Sequence, residues 1–182
     1  TGRAMSPATR TIRHCRACGA AVRYEIPADD NRERAVCTAC GTVQYENPLL
    51  VVGTLPFADD GRVLLCRRAI EPRYGLWTLP AGFMELGETA ADGALRETTE
   101  VVLEGLYTML DVVRVGQVHL FFRARLLDLD FAPGPESLEA KLFEESQVPW
   151  PELAFRTTAR TLEHWFADRK AGSFPVRVGA IG

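Results

Sequence analysis

Two periodicities organise the second half of the chain. Across residues 117–126, Val118, Leu120, Phe122, Ala124 and Leu126 alternate with more polar positions, the period of two that predicts a β-strand with one face in a core. The other face carries His119, Arg123 and Arg125. It reads as a solvated strand face or as a substrate-binding one, because arginine forks match phosphate oxygens. Over 157–170 the spacing changes: Phe155, Leu162 and Phe166, with Trp165 beside them, form a helical stripe that predicts a helix packed on a core. Shorter strands are predicted at 62–67, opened by the turn Asp59-Asp60-Gly61, at 101–104, and at 137–143. A loop punctuated by Gly82 and Gly87 leads into Thr89-Ala90-Ala91-Asp92, a capping box that predicts a helix running through Glu100.

With 47% hydrophobic and 25% charged residues in 182, the chain has apolar material for one enzyme-sized core plus a small module. The net charge of −3 gives no global pull toward nucleic acid or an anionic membrane. Arg13, Arg16, Arg23, Arg32 and Arg34 cluster early, but Asp29, Asp30 and Glu33 offset them, so nucleic acid is not an expected partner. No run approaches the roughly 18 apolar residues of a membrane span, and no charged-then-apolar leader opens the chain, so a cytoplasmic location is expected. Residues 1–13 are basic, lack acids and include Met5; they are expected to be a disordered tail outside the fold.

Cys15, Cys18, Cys37 and Cys40 form C-x2-C-x18-C-x2-C, the spacing with which two tight turns present four thiolates to one tetrahedral ion. Gly19 and Gly41 follow the second cysteine of each pair, where the turn must let backbone approach the metal. Residues 21–26 and 42–45 are expected as ribbon strands, too small to hold a core without Zn²⁺. A pair of disulfides is the alternative, disfavoured by the CxxC pairing and the expected compartment. The domains expected are thus a zinc ribbon at 14–45 and an enzyme domain at 46–182. Cys66 is expected in a core or on a strand surface.

Glu97 and Glu100 stand three apart on the expected helix, so both carboxylates project from one side. Clustered hard oxygen donors suit Mg²⁺ or Mn²⁺; the bland alternative is a solvated acidic face. The wider spacing decides. Gly82, Glu88, Arg96, Glu97 and Glu100 fit the pattern G-x5-E-x7-R-E-U-x-E-E-x-G-U, so the chain resembles the Nudix hydrolase superfamily. The resemblance implies an α+β fold, a mixed sheet between helices in an α/β/α sandwich, with the zinc ribbon at its N-terminus. It also implies Glu97 and Glu100 as magnesium ligands, Glu88 and Arg96 bracing the loop against the helix, and Gly82 shaping the turn.

The pattern breaks after Glu100: Val101 and Leu103 stand where a second glutamate and a glycine belong. The expected helix runs straight into a strand with no residues for the turn, as if a short piece were missing. Glu136 and Glu139 are the acids that would compensate, and Glu139 is taken as a further catalytic residue, with an exposed strand position as its alternative.

Gln44-Tyr45-Glu46-Asn47-Pro48, Cys66-Arg67-Arg68 and 131–139 resemble zinc-ribbon Nudix proteins of the plant flavin adenine dinucleotide (FAD) diphosphatase type. The S-Q-P-W-P-F-P run of the NADH pyrophosphatases has only the echo Pro149-Trp150-Pro151, which reads as a connector. The activity implied is Mg²⁺-dependent cleavage of a pyrophosphate bond in a nucleoside diphosphate derivative, FAD to FMN and AMP first, then ADP-ribose or NADH. The alternative is a catalytically impaired binding or regulatory protein. A small dinucleotide is the expected partner, and a homodimer is allowed for.

Overall fold

The computed structural model describes residues 12–98, 100–129 and 131–182. The expected tail therefore lies outside the described residues up to residue 11, whereas Ile12 and Arg13 already belong to the ribbon. Tyr24 and Ile12 exchange hydrogen bonds through the Tyr24 hydroxyl, and Val22 N–H donates to the Arg13 carbonyl. The chain divides into two compact units between Pro48 and Leu49.

The first unit is a three-stranded antiparallel sheet in the order β1 (Val22–Glu25), β2 (Arg34–Cys37), β3 (Val43–Gln44). β2 is an addition to the two expected strands. Its apolar content is Ala35, Val36 and Cys37, too short a run to announce itself, yet these three are the buried centre of the unit.

The second unit is built on β4 (Leu49–Phe57), with β5 (Val63–Arg68), β6 (Trp77–Thr78), β7 (Ala81–Phe83), β8 (Val101–Val112), β9 (Gln117–Leu126), β10 (Ser137–Phe143) and β11 (Arg177–Ala180). The sheet runs β10-β5-β4-β9-β8-β11, with β4·β9 and β8·β11 parallel and the other pairings antiparallel. β4 shares one edge between two partners: β5 meets it only at Phe57↔Val63, and β7 pairs with Val51–Gly53. β4 and β5 diverge from that contact, and the connection carrying β6 and β7 fills the gap. Thr54 N–H is satisfied there by the Pro80 carbonyl.

Helix α2 (Arg156–Ala171) packs Leu162, Trp165 and Phe166 onto Leu55, Phe57 and Phe121, as its stripe predicts. Helix α1 (Ala90–Arg96) buries Gly93 and Ala94 on the opposite face of β4, where the Thr54 and Thr98 hydroxyls also bond. The mixed sheet thus lies between helices, as expected. No helix among the described residues is long and apolar enough to cross a membrane.

Two expectations need correction. β9 does not have a solvated polar face. It is an interior strand covered on both sides, so His119 and Phe121 are buried on the α2 side while Ala124 and Leu126 are buried on the other. Helix α1 does not run through Glu100. It ends at Arg96, Glu97 caps it, and Thr98 N–H closes the turn on the Leu95 carbonyl. The β-branched run at Val101 starts β8 at once. The chain resolves the absence of connecting residues by giving up the last helical turn, and Glu100 leaves the helix with it.

Candidate functional site

In the ribbon, the four Sγ atoms lie within 4.8 Å of one another. Cys15–Cys40, Cys18–Cys37 and Cys18–Cys40 are separated by 3.8, 3.5 and 3.6 Å. A tetrahedron with Zn–S bonds of about 2.3 Å has edges of about 3.8 Å, so the donor set fits zinc. The turns do this locally. Gly19 and Gly41 adopt φ of 74° and 72°, returning their N–H groups to the carbonyls of Cys15 and Cys37. Further N–H groups aim at sulfur: Ala17 on Cys15, Ala39 and Cys40 on Cys37, each at 3.4 Å. The Thr42 hydroxyl and N–H lower the Cys40 thiol to about 6, favouring its thiolate.

In the second unit, residues of β4, β5, β7, β9 and the start of α2 line a cavity of about 940 Å³. Arg68, Arg73, Arg96, Arg114 and Arg156 line it together with Glu97 and Glu136. A smaller cavity of about 340 Å³ adjoins it and shares Arg68, Arg96, Glu97 and Glu136; Cys66 lies on its wall, where burial pushes the thiol up.

Arg96 organises this waist. Its guanidinium donates to both Glu88 carboxylate oxygens at 3.0 and 3.1 Å, to the Phe83 carbonyl at 3.0 Å, and to Glu97. Glu88 also accepts from Glu85 N–H at 2.7 Å, and its carboxyl is held low, first by Arg96. The loop before α1 is therefore fastened to the end of the helix. Gly82 leaves room for the Glu97 carboxylate: a methyl group there would stand 2.5 Å from Glu97 Oε1 and push that side chain aside. Burial raises the Glu97 carboxyl, the Arg96 charge opposes the rise, and Glu136 adds to it.

The structure brings together Gly82, Glu88, Arg96 and Glu97 and adds Glu136, while Glu100 and Glu139 line neither cavity. Glu100 is exposed, its carbonyl bonded by Leu127 N–H. The reason for Glu139 lies in β10. Its register slips between Ser137 and Glu139, which face the successive residues Arg68 and Arg67, so Leu138 is an inserted residue. Beyond the slip Ala140 points at the cavity beside Cys66, and Glu139 points away and is exposed.

Of the residues on β9, His119 lines the large cavity, but Arg123 and Arg125 line neither. Both pair with Glu104, and the Arg123 guanidinium lies 4.1 Å from the Phe174 ring centroid. The site residues that pattern reading missed, Arg114, Gln117, Arg156 and Thr157, come from the turn after β8, the start of β9 and the start of α2, which only the tertiary fold collects.

A nucleotide-handling fold with a thiolate metal centre is what these features define, and comparison with known proteins agrees. The Nudix N-terminal zinc-ribbon model matches residues 13–46 and the NUDIX domain model matches residues 47–166. The chain belongs to the NUDIX family, as a hydrolase of the nucleotide pyrophosphatase class. A crystal structure of a NUDIX hydrolase from Nitrosomonas europaea is 43% identical, with a TM-score of 0.87 over 93% of this chain and 99% of that one. The ADP-ribose pyrophosphatase of Methanocaldococcus jannaschii is 30% identical over 122 residues, 61% of this chain and 69% of that enzyme. The dihydroneopterin triphosphate diphosphatase of Escherichia coli is 33% identical over 95 residues, half of this chain and 59% of that enzyme.

Proposed function

We propose that this chain hydrolyses the phosphoanhydride of a nucleoside diphosphate joined to a second group, with ADP-ribose and FAD as the substrates to test first and NADH behind them. The observation that carries the reading is the large cavity lined by five arginines together with Glu97, Glu136, Glu71 and Glu85. Guanidinium groups suit the diphosphate charge, and the volume accommodates a substrate with groups on both sides of it. The similarity to an ADP-ribose pyrophosphatase supports the first substrate. The resemblance at 131–139 supports the second.

Mg²⁺ or Mn²⁺ fits the donor set, because such ions take one or two carboxylates and complete their shells with water and substrate phosphate. Glu97 is the residue that would hold the ion, which when bound polarises the phosphoanhydride. Arg96 keeps Glu97 turned into the cleft and fixes the loop beneath it. Arg68 and Arg73 bind the diphosphate oxygens. Glu136, in the turn just before β10 and lining the same cavity as Glu97, accepts the proton of the attacking water, in place of Glu139. Zn²⁺ occupies the four-thiolate centre and holds the ribbon together without entering the chemistry.

One observation favours a second reading, a protein that binds its nucleotide and turns it over poorly. Glu100 stands outside the cleft, and among the described residues the only group of three or more potential ligands is the cysteine cluster. Release of AMP from ADP-ribose, FAD and NADH, with and without Mg²⁺ or Mn²⁺, separates the two. Metal-dependent cleavage of one substrate establishes the hydrolase; tight binding without cleavage establishes the second reading.

A further inference from the structure

The large cavity contains a side-chain relay that the phosphate chemistry does not use. His119 is 8% exposed at the cavity wall, and both ring nitrogens are engaged. Nε2 lies 3.0 Å from Gln117 Oε1, and Nδ1 lies 3.1 Å from the Thr157 hydroxyl. A carboxamide oxygen can only accept, so Nε2 carries the hydrogen and Nδ1 accepts from Thr157. This assignment leaves the imidazole neutral, in keeping with the burial that lowers it to about 4.

The consequence falls on Gln117. A free glutamine can turn either end of its amide toward a ligand. Here the oxygen is held by His119, and among the described residues the amide nitrogen makes no protein hydrogen bond. Gln117 therefore offers the cavity a donor of fixed orientation. Its neighbours on the sheet are apolar, while Arg114 and Arg156 also line this cavity. Val112 stands opposite it in register on β8, and Val51, opposite His119 on β4, pairs with Phe83 of β7; all three line the same cavity. The Phe83 ring is 52% exposed. An apolar wall, an exposed aromatic side chain and one oriented amide donor suit a flat heteroaromatic ring bearing an acceptor at its edge, with the arginines of the cavity left to meet the phosphates.

We propose that Gln117 recognises the heteroaromatic base of the substrate, donating from its amide to a ring nitrogen or ring carbonyl, and that His119 and Thr157 are positioning residues that fix the amide. The inference rests on the reading of the cavity as a nucleotide site. It is testable by binding alone. Calorimetry on the full zinc-loaded chain compares AMP with ribose 5-phosphate, which keeps the phosphate and sugar and lacks the base. The wild type binds AMP at least about tenfold more tightly, the worth of one neutral hydrogen bond. Gln117→Leu erases most of that ratio and leaves ribose 5-phosphate unchanged.

His119→Leu reduces the ratio in the same direction with Gln117 intact, and Thr157→Val does so less. In turnover, Gln117→Leu raises KM and leaves kcat within about twofold, a split that a general loss of structure would not give. Equal binding of the two probes by the wild type, no binding of either, or a ratio unchanged in Gln117→Leu would each overturn the proposal. Hydrolysis without base selectivity refutes the base slot and spares the enzyme reading; base selectivity without hydrolysis does the reverse.

Discussion

The chain carries two short ligand motifs, one of thiolates in the ribbon and one of carboxylates in the NUDIX unit, and the fold treats them differently. Each CxxC pair is placed by its own turn, through hydrogen bonds that span four residues and a glycine at positive φ. Nothing distant has to cooperate for Cys15 and Cys18 to face one way. The carboxylate motif relies on a helix being long enough, and that length is contested from outside by β8. Ten of the twelve residues of β8 pair along β9, and the strand claims Val101 before a third helical turn can form. Glu97 stays at the cleft as the helix cap, and Glu100 goes with the strand. A motif whose geometry is local transfers from sequence to structure intact; one whose geometry depends on where an element stops does not.

Removing the metal tests the first half of this contrast and carries the largest effect. Structural zinc in small modules contributes on the order of 10–16 kcal/mol at neutral pH. Chelation, or Cys37→Ser, is expected to unfold residues 14–45, read as loss of amide protection in β1–β3. The two apolar clusters of the second unit, which contain no ribbon residue, keep theirs. About one zinc per chain, lost in Cys37→Ser, is the expected metal content; a ribbon that stays folded without metal would show that its three short strands suffice.

The carboxylates come next. Glu97→Gln and Glu136→Gln are each expected to lower kcat by about 10²–10⁴, with Glu97→Gln also raising the Mg²⁺ concentration needed. Glu100→Gln and Glu139→Gln are expected to stay within about twofold of wild type. If Glu100→Gln proves as damaging as Glu97→Gln, the working enzyme rebuilds the missing helical turn, and the difference between the two motifs disappears.

What the pattern of residues reveals follows the same division. The cysteine centre, the capping box at Thr89, the stripe of α2 and the strands β5, β9 and β10 are all legible, since each announces itself through the spacing of its own residues. The central strand β4 is not, because Gly53 and Pro56 interrupt an apolar run whose pairing partners come from three other strands. The faces of β9 are misread because two-sided burial defeats alternation as a guide. Glu136 and Glu139 are indistinguishable until the irregularity at Leu138 sets which one the cleft receives. Gln117 gives no signal at all: its role depends on a histidine two residues on and a threonine from α2.

The smallest expected effect probes why the shortened helix persists. Seven residues make two turns, too few to be stable by propensity alone, so α1 depends on its ends and its buried face. At the start, the Thr89 hydroxyl accepts from Asp92 N–H at 3.1 Å and the Asp92 carboxylate accepts from Thr89 N–H at 3.2 Å. At the finish, Arg96 ties the last residue back to Glu88. Thr89→Ala removes the first tie and is expected to cost about 1 kcal/mol in chemical denaturation. Because Glu97 caps the same helix, fraying spreads to the cleft, and Mg²⁺-dependent turnover should fall further than that stability loss alone implies. Thr89→Ser, which keeps the hydroxyl, should restore both. A stability loss with unchanged turnover would mean that Gly82 and Arg96 hold Glu97 without help from the helix.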